Sequence, residues 1–518
     1  MTIADDLAAA VATAQADAAK LNAVVHGPSA GPTSLVATDA GLVKTLARIT
    51  AEAAAAAGAG VVPFSPPVPW TPDITAVIGP PATAVTFEGE SYFCNTGHLT
   101  GATFAEDAAK WTKLAQKGAD GTVGLVRPGG RLTLITGDPE MAGEASGVTT
   151  LRYAPWNGDR ISIWDGTHFT THTFGELSNV LANSATGKAG PAALLAHQVA
   201  DAFVWDDAGA KTLTRGAAWI KQATVTMTIA SPCVVTWTAH GLKNGDPVKF
   251  TTDGALPTGV TAGTNYFASV INANSFNICT SISNQIVGTL INTSVSQSGT
   301  HTATNHTTSR GTGAGTAELE RLNGVWVNKH DITNGPAARR GTFVGSIGCE
   351  DAVNLNHFKG LMGSGGIGAV LCVWNFYNRL PVAGFWGPSD NTWTHSTTTW
   401  RPVLNQFQMR VRFLCGIPDE PIVAEGVGRA TNASVSVNAV GLALNDTVAP
   451  SPLTMMNPGG GIANVVLPAT CKGSYLPRAG WNYVTLLERA DGVGTTTWQG
   501  DNNTPTMCQT GLSFRWRF

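Results

Sequence analysis

The sequence predicts a mainly β, multidomain protein, and three observations point to it. Through residues 317–518, short strands of alternating or aromatic character, such as Thr342 to Ile347 and Ala369 to Phe376, are punctuated by Gly, Pro, Asn and Asp clusters. The clusters recur every ~8–12 residues, the spacing of an all-β sandwich or barrel. No helix-length periodic run interrupts that block. At 518 residues the chain also exceeds the size at which one core keeps growing, so roughly three or four domains are expected.

Composition narrows the function classes. Charged residues make up 13% of the chain, against about 25% in average soluble proteins, while 43% are hydrophobic and 59 are glycine. Low charge with high hydrophobicity is the opposite of a disordered chain and suits an extended β assembly. A formal charge of −3 argues against a nucleic-acid partner, because phosphate binding needs clustered Lys and Arg. The N-terminus, MTIADDLAAAVATAQADAAK, has two acids before its first apolar run and no basic leader, so it does not read as a secretory signal; no run of 18 apolar residues predicts membrane insertion. The eight cysteines are far apart and form no CxxC pair, which predicts buried, reduced thiols rather than a zinc site or redox centre.

Taken in order, residues 1–60 read as a helical anchor or oligomerisation region. Ile3, Leu7, Val11, Ala14, Ala18, Leu21 and Val25 follow helical spacing, and His26-Gly27-Pro28 ends the run. A second helix is expected from Thr38 or Asp39 through Leu42, Leu46, Ile49, Ala53 and Ala56. Such narrow apolar stripes predict self-association or docking onto another protein, with a hairpin folded on the same chain as the alternative. Residues 61–86 are Pro-rich and read as a semi-rigid spacer. Residues 87–118 form a small unit in which Tyr92, His98, Phe104 and Trp111 supply a miniature core; an exposed Trp111 would stack on a sugar, a buried one would be that core.

Residues 119–220 carry the strand sequences LTLITG, TTLRYAPW, RISIWDG, HFTTHTF, DAFVWDD and KTLTRGAAW, with hairpin signals at Asn157-Gly158 and Asp165-Gly166 and a helix expected from Pro191 to Ala200. Residues 221–305 are Thr-, Ser- and Asn-rich with short strands and interrupt this style of sequence as an inserted small domain. Residues 306–335 return to the earlier style, so 119–220 and 306–335 are expected to share one discontinuous domain. Residues 336–518 form the C-terminal domain, whose Phe514, Trp516 and Phe518 alternate with Arg515 and Arg517 as on a final strand with one buried face.

The run TTLRYAPWNGDRISIWDGTHFTTHTFGELS, followed by Phe203 to Asp206 and Leu213 to Trp219, resembles tail fibre and virion-decorating proteins of tailed bacteriophages. Gly335 to Gly345, VWNFYNRLPV, TWTHSTTTWRP and LLERADGVGTTTWQG extend the resemblance in order from about Thr149 to Phe518. Residues 87–118 are similar to small modules of phage tail proteins and, more distantly, to chitin-binding carbohydrate modules. The segment WTAHGLKNGDPVKFTTDGALPTGVTAGTNYF resembles a β-barrel module first described in ubiquitin-activating enzymes. The resemblance implies a jelly-roll-like C-terminal sandwich and a virion structural protein, assembled in the host cytoplasm as a homotrimer. Its N-terminal region would meet other virion proteins, and its head would bind a host surface glycan or protein. A capsid-attached head fibre and an architectural baseplate protein are the alternatives, and a polysaccharide depolymerase a further one.

No catalytic residue, cofactor or metal site is expected. Asp390, His395 and Ser396 crowd one loop without a nucleophile elbow; Asp419 with Glu420, and Glu488 with Asp491, lack the arrangement of a glycosidase pair; His301, His306 and His330 are scattered. The candidate ligand contacts are aromatic: Trp374, Tyr377, Trp386, Trp393 and Trp400, together with Trp111. Alternation along VWNFYN places Trp374 and Phe376 on one face and Asn375 and Tyr377 on the other, so part of this set is expected to be core.

Overall fold

A computed structural model describes residues 3–26, 28, 35–38, 41–44, 46–48, 68–78, 82–87, 90–115, 125–182, 188–350, 352–360, 368–406, 408–460, 462–501 and 509–518. The chain is mainly β and divides into two compact units, Met1–Thr122 and Val123–Phe518.

In the first unit one helix, Ile3–His26, forms over the expected apolar spacing, and Leu21 on it is 66% exposed. The second helix is a correction. Leu35–Thr38 and Gly41–Lys44 pair as antiparallel strands, with Val36 opposite Val43, and of the expected helix only residues 46–48 are helical. β-branched residues at paired backbone positions and a glycine at the start of the return strand favour local strand pairing over a helix nucleus. The remainder of that expected helix lies outside the described residues.

The spacer is a second correction. From Val68 onward the Pro-rich stretch belongs to the small unit that follows, in a four-stranded sheet of Val68–Pro69, Ala84–Phe87, Glu90–Cys94 and Trp111–Ala115. Pro69 is tolerated because its strand lies at the sheet edge, where a missing N–H interrupts no ladder. Thr100 stitches the stretch in, accepting from Ile74 N at 2.8 Å and donating to Thr71 O at 2.9 Å.

Outside the insertion, the second unit is built on one continuous hydrophobic core running from Leu132 to Phe518. A six-stranded sheet takes Val199–Asp207 and Ala210–Ala218 from one side of the insertion and Leu319–Leu322 and Val325–Asn328 from the other. Thr342–Gly348 and Val373–Asn375 complete it, so the expected boundary between residues 335 and 336 does not separate two cores. Every position of Thr342–Gly348 is buried, as a central strand covered on both faces requires. The helix expected from Pro191 to Ala200 is absent. Its backbone groups are taken by neighbours, Leu194 N by Leu181 O and His197 N by Glu350 O, and Val199 already begins a strand.

Between Lys221 and Asn305 six strands close into a barrel with its own core of Trp237, Phe250, Phe276 and Ile278. Its first strand, Lys221–Met227, pairs with its last, His301–Asn305, bringing Lys221 opposite Asn305. Entry and exit are therefore adjacent, and the host sheet closes over the insertion with little loop entropy to overcome.

The C-terminal strands, joined at one sheet edge by Ala145–Val148, form a jelly-roll-like sandwich of an eight-stranded and a seven-stranded sheet. Gly480–Ala490 is central in the first and Ile422–Asn432 in the second. Glycines let the layers touch: a Cβ on Gly426 would lie 2.4 Å from Leu486 Cδ1, and one on Gly428 would lie 2.5 Å from Val440 Cγ1. On the last strand, Gly511–Arg517, Leu512, Phe514 and Trp516 are buried while Arg515 and Arg517 face water. Each such large apolar side chain contributes roughly 1.5–3 kcal/mol through burial.

Candidate functional site

Strand position sorts the six candidate aromatics. Trp374, on Val373–Asn375, and Trp386, ending Pro381–Trp386, are fully buried, and Trp111 is 5% exposed and packs on Phe104 and His98. These three are core, not ligand contacts. Asn375, on the opposite strand face from Trp374, is also buried, its amide accepting from Leu132 N at 2.6 Å and donating to Leu132 O at 3.3 Å. Tyr377 is half-buried between Phe376 and Arg127, and burial pushes its phenol up to about 12.

Trp393 and Trp400 remain half-exposed and flank the loop 395–399 at one rim of the sandwich. Beneath them lies Glu488 on Gly480–Ala490, its side chain without solvent exposure. Trp393 Nε1 donates to Glu488 Oε2 at 2.6 Å, and Arg401 Nε donates to Oε1 at 2.8 Å. Burial pushes the carboxyl up to about 7, with the Arg401 charge and both donors opposing that rise. Arg489 Nε donates to Thr398 O at 2.6 Å, and its guanidinium sits 5.9 Å from the Trp400 ring centre. The loop is held in one conformation, presenting two indoles and two guanidinium groups on a fixed shelf.

The acids and histidines considered for chemistry have other partners. His395 Nε2 lies 3.0 Å from Thr399 O, and Ser396 Oγ accepts from Thr496 N at 2.8 Å, so the two are not aligned as base and nucleophile. Asp419 receives both Arg379 amines, at 2.7 and 2.6 Å, and Glu420 is paired with Arg379 and Arg517. Asp491 accepts from Val437 N at 2.7 Å and Val493 N at 3.0 Å, closing a turn. His301 meets Thr252 and Gln297, His306 meets Trp219 O, and His330 meets Glu318. Among the described residues no group of three His, Cys, Asp or Glu side chains is placed to hold a metal. Seven cysteines are described, all free and buried.

Two recesses escaped the sequence reading. One, of about 530 Å³, lies over the outer face of the seven-stranded sheet, where Ser513, Glu425, Lys472 and Met455 form a cross-strand row. The other, of about 420 Å³, is bounded by Trp164, Asp165, Trp205 and Asp206. Its signal was present in the sequence as two Trp-Asp pairs, each closing an apolar strand ahead of a glycine turn.

The described geometry is that of a mainly β multidomain protein whose accessible features are recesses and an aromatic shelf. No protein-family model matches the chain, and no curated protein matches it. Among solved structures, a glycoside hydrolase family 43 arabinoxylan arabinofuranohydrolase from Bacillus subtilis, in complex with cellotetraose, aligns at 10% identity and a TM-score of 0.14, over 83% of this chain and 94% of that one. A likeness so slight carries no argument about fold or activity.

Proposed function

We propose that the chain is a bacteriophage virion protein, a tail fibre or spike that binds the host cell surface without turning a substrate over. The observation that carries this reading is the shelf at the sandwich rim. Half-exposed Trp393, with Arg401 and Arg489, is fixed by hydrogen bonds to a buried carboxylate and to a loop carbonyl, and half-exposed Trp400 lies with its ring centre 5.9 Å from the Arg489 guanidinium. Rigid aromatics edged by arginine bind flat apolar and polar surfaces at low entropic cost. The ordered resemblance to phage fibre proteins from Thr149 to Phe518 supports the same reading. In this proposal the exposed apolar positions of Ile3–His26 meet two further copies, giving a homotrimer, or other virion proteins.

The test is competition and placement together. Purified chain added to host cells is expected to block adsorption of the phage, and an antibody against residues 336–518 is expected to label the tail. Labelling of the capsid instead would make the chain a head fibre, and release of reducing ends from host polysaccharide would make it an enzyme.

A further inference from the structure

The recess between Trp164 and Trp205 lies far in sequence from the shelf and is built from the hairpin Arg160–Trp164 with Phe169–Thr173 and the end of Val199–Asp207. Trp205 is 7% exposed and anchored by its Nε1 donating to Thr214 Oγ1 at 2.8 Å, while Trp164 is half-exposed and packs edge-on against Phe169. One indole makes the floor and the other a wall.

The polar groups around them are fixed as well. Asp165 Oδ1 accepts from Thr167 N at 2.8 Å and His168 N at 2.9 Å, and these bonds hold its carboxyl down at about 2. Asp206 is bound by Lys211 Nζ at 2.5 Å, and that ammonium lowers its carboxyl too. His172 Nε2 lies 2.6 Å from Thr170 Oγ1, and burial, aided by Lys211, lowers its imidazole and favours the neutral form. The Arg340 guanidinium crosses the turn at Gly166, where φ is +108° and a Cβ would lie 2.4 Å from Nη2; only glycine admits it. Thr342 Oγ1 donates to Ser162 O at 2.7 Å, tying the hairpin to the six-stranded sheet.

Charge selects among ligands. Two carboxylates, Asp165 and Asp206, are matched by two cations, Lys211 and Arg340, and Lys188, 5.7 Å from the Trp205 ring centre, is paired with Asp207 at 3.7 Å, so the recess favours neither a cation nor an anion. Its volume of about 420 Å³ suits a small ligand. Indole faces beside ionised acceptors and guanidinium donors match a molecule with apolar C–H faces and a rim of hydroxyls. We propose that this recess is a binding site for a short uncharged saccharide. The proposal rests on the reading of the chain as a surface-binding fibre, and it deepens that reading by naming a second contact of defined chemistry.

The experiment is calorimetric titration of the full chain with neutral tetrasaccharides of the gluco, manno and galacto series. Choline and a sulfated tetrasaccharide serve as charged probes, with tryptophan fluorescence read alongside. At least one neutral probe is expected to bind, Trp164→Ala to weaken it about tenfold and Trp164→Phe to retain most of the affinity. Asp206→Asn, which keeps the side chain's shape, is expected to weaken it as well, giving a second variant should Trp164→Ala fail to fold. Absence of binding by every neutral probe, tighter binding of either charged probe, or binding unchanged in both Trp164→Ala and Asp206→Asn would overturn the site. Adsorption to host cells is measured in parallel. Failure of every neutral saccharide to bind a chain that still adsorbs to host cells overturns the saccharide site while leaving the fibre reading intact. Saccharide binding by a chain that adheres to no host cell supports the site and overturns the fibre reading alone.

Discussion

Arg401 and Glu488 form an ion pair 2.8 Å long in which the acid is sealed from solvent and the base is 28% exposed. Burial outweighs the attraction of the guanidinium, and the carboxyl rises from its ordinary 4.5 to about 7. Between those two values the folded chain holds a proton that the unfolded chain releases. Stability from this group is therefore present below pH 4.5 and lost as pH rises toward 7, on the order of 3 kcal/mol in all. Thermal melts at several pH values are expected to show this decline in the wild type and to lack it in Glu488→Gln.

Arg401→Met removes the charged partner and leaves a buried carboxyl with the neutral Trp393 and Leu404 N–H donors. The expected cost near pH 8 is about 3–5 kcal/mol, shrinking as the medium is acidified and the carboxyl takes up a proton. Equal losses at pH 5 and pH 8 would show that the arginine acts through packing only.

Trp374→Ala and Trp400→Ala separate core from contact. The first deletes a fully buried indole and is expected to lower stability by about 3–5 kcal/mol. The second is expected to leave the melting temperature nearly unchanged and to reduce adsorption to host cells several-fold. Denaturant melts and cell-binding isotherms on the two variants check both halves.

Gly426→Val places new carbon where Leu486 and Cys471 already lie, at 2.4 and 2.8 Å from a Cβ. The sheets have no room to part, and destabilisation of at least about 1–3 kcal/mol is expected. A control at exposed Val423, three residues earlier on the same strand, is expected to change stability little in Val423→Thr.

Much of the fold was legible because period-2 alternation and turn residues are local signals. The strands DAFVWDD and KTLTRGAAW appear where their pattern places them, paired as Val199–Asp207 and Ala210–Ala218. What lay beyond reach depended on partners distant in the chain. Whether Trp374 faced water could not be told from VWNFYN, because its strand pairs with Thr342–Gly348 and is covered on both faces. Pro69 looked like spacer because an edge strand and an extended linker share the same backbone preferences. The shelf joins Trp393 and Arg401 to Glu488 across separations of 95 and 87 residues, which no local pattern encodes.

The pairing of Lys221 with Asn305 makes one rung the barrel's entry and exit, while Arg478 paired with Asp246 and Tyr483 bonded to Asn244 O at 2.7 Å hold its flank to the sandwich. A lineage that exchanged this lobe wholesale, or lost it, would have to rejoin two neighbouring chain ends and find new partners for Arg478 and Tyr483. The same rung offers a grafting point where a reporter or foreign epitope would sit outside the main core, leaving the strands that bear the rim shelf and the tryptophan recess in place.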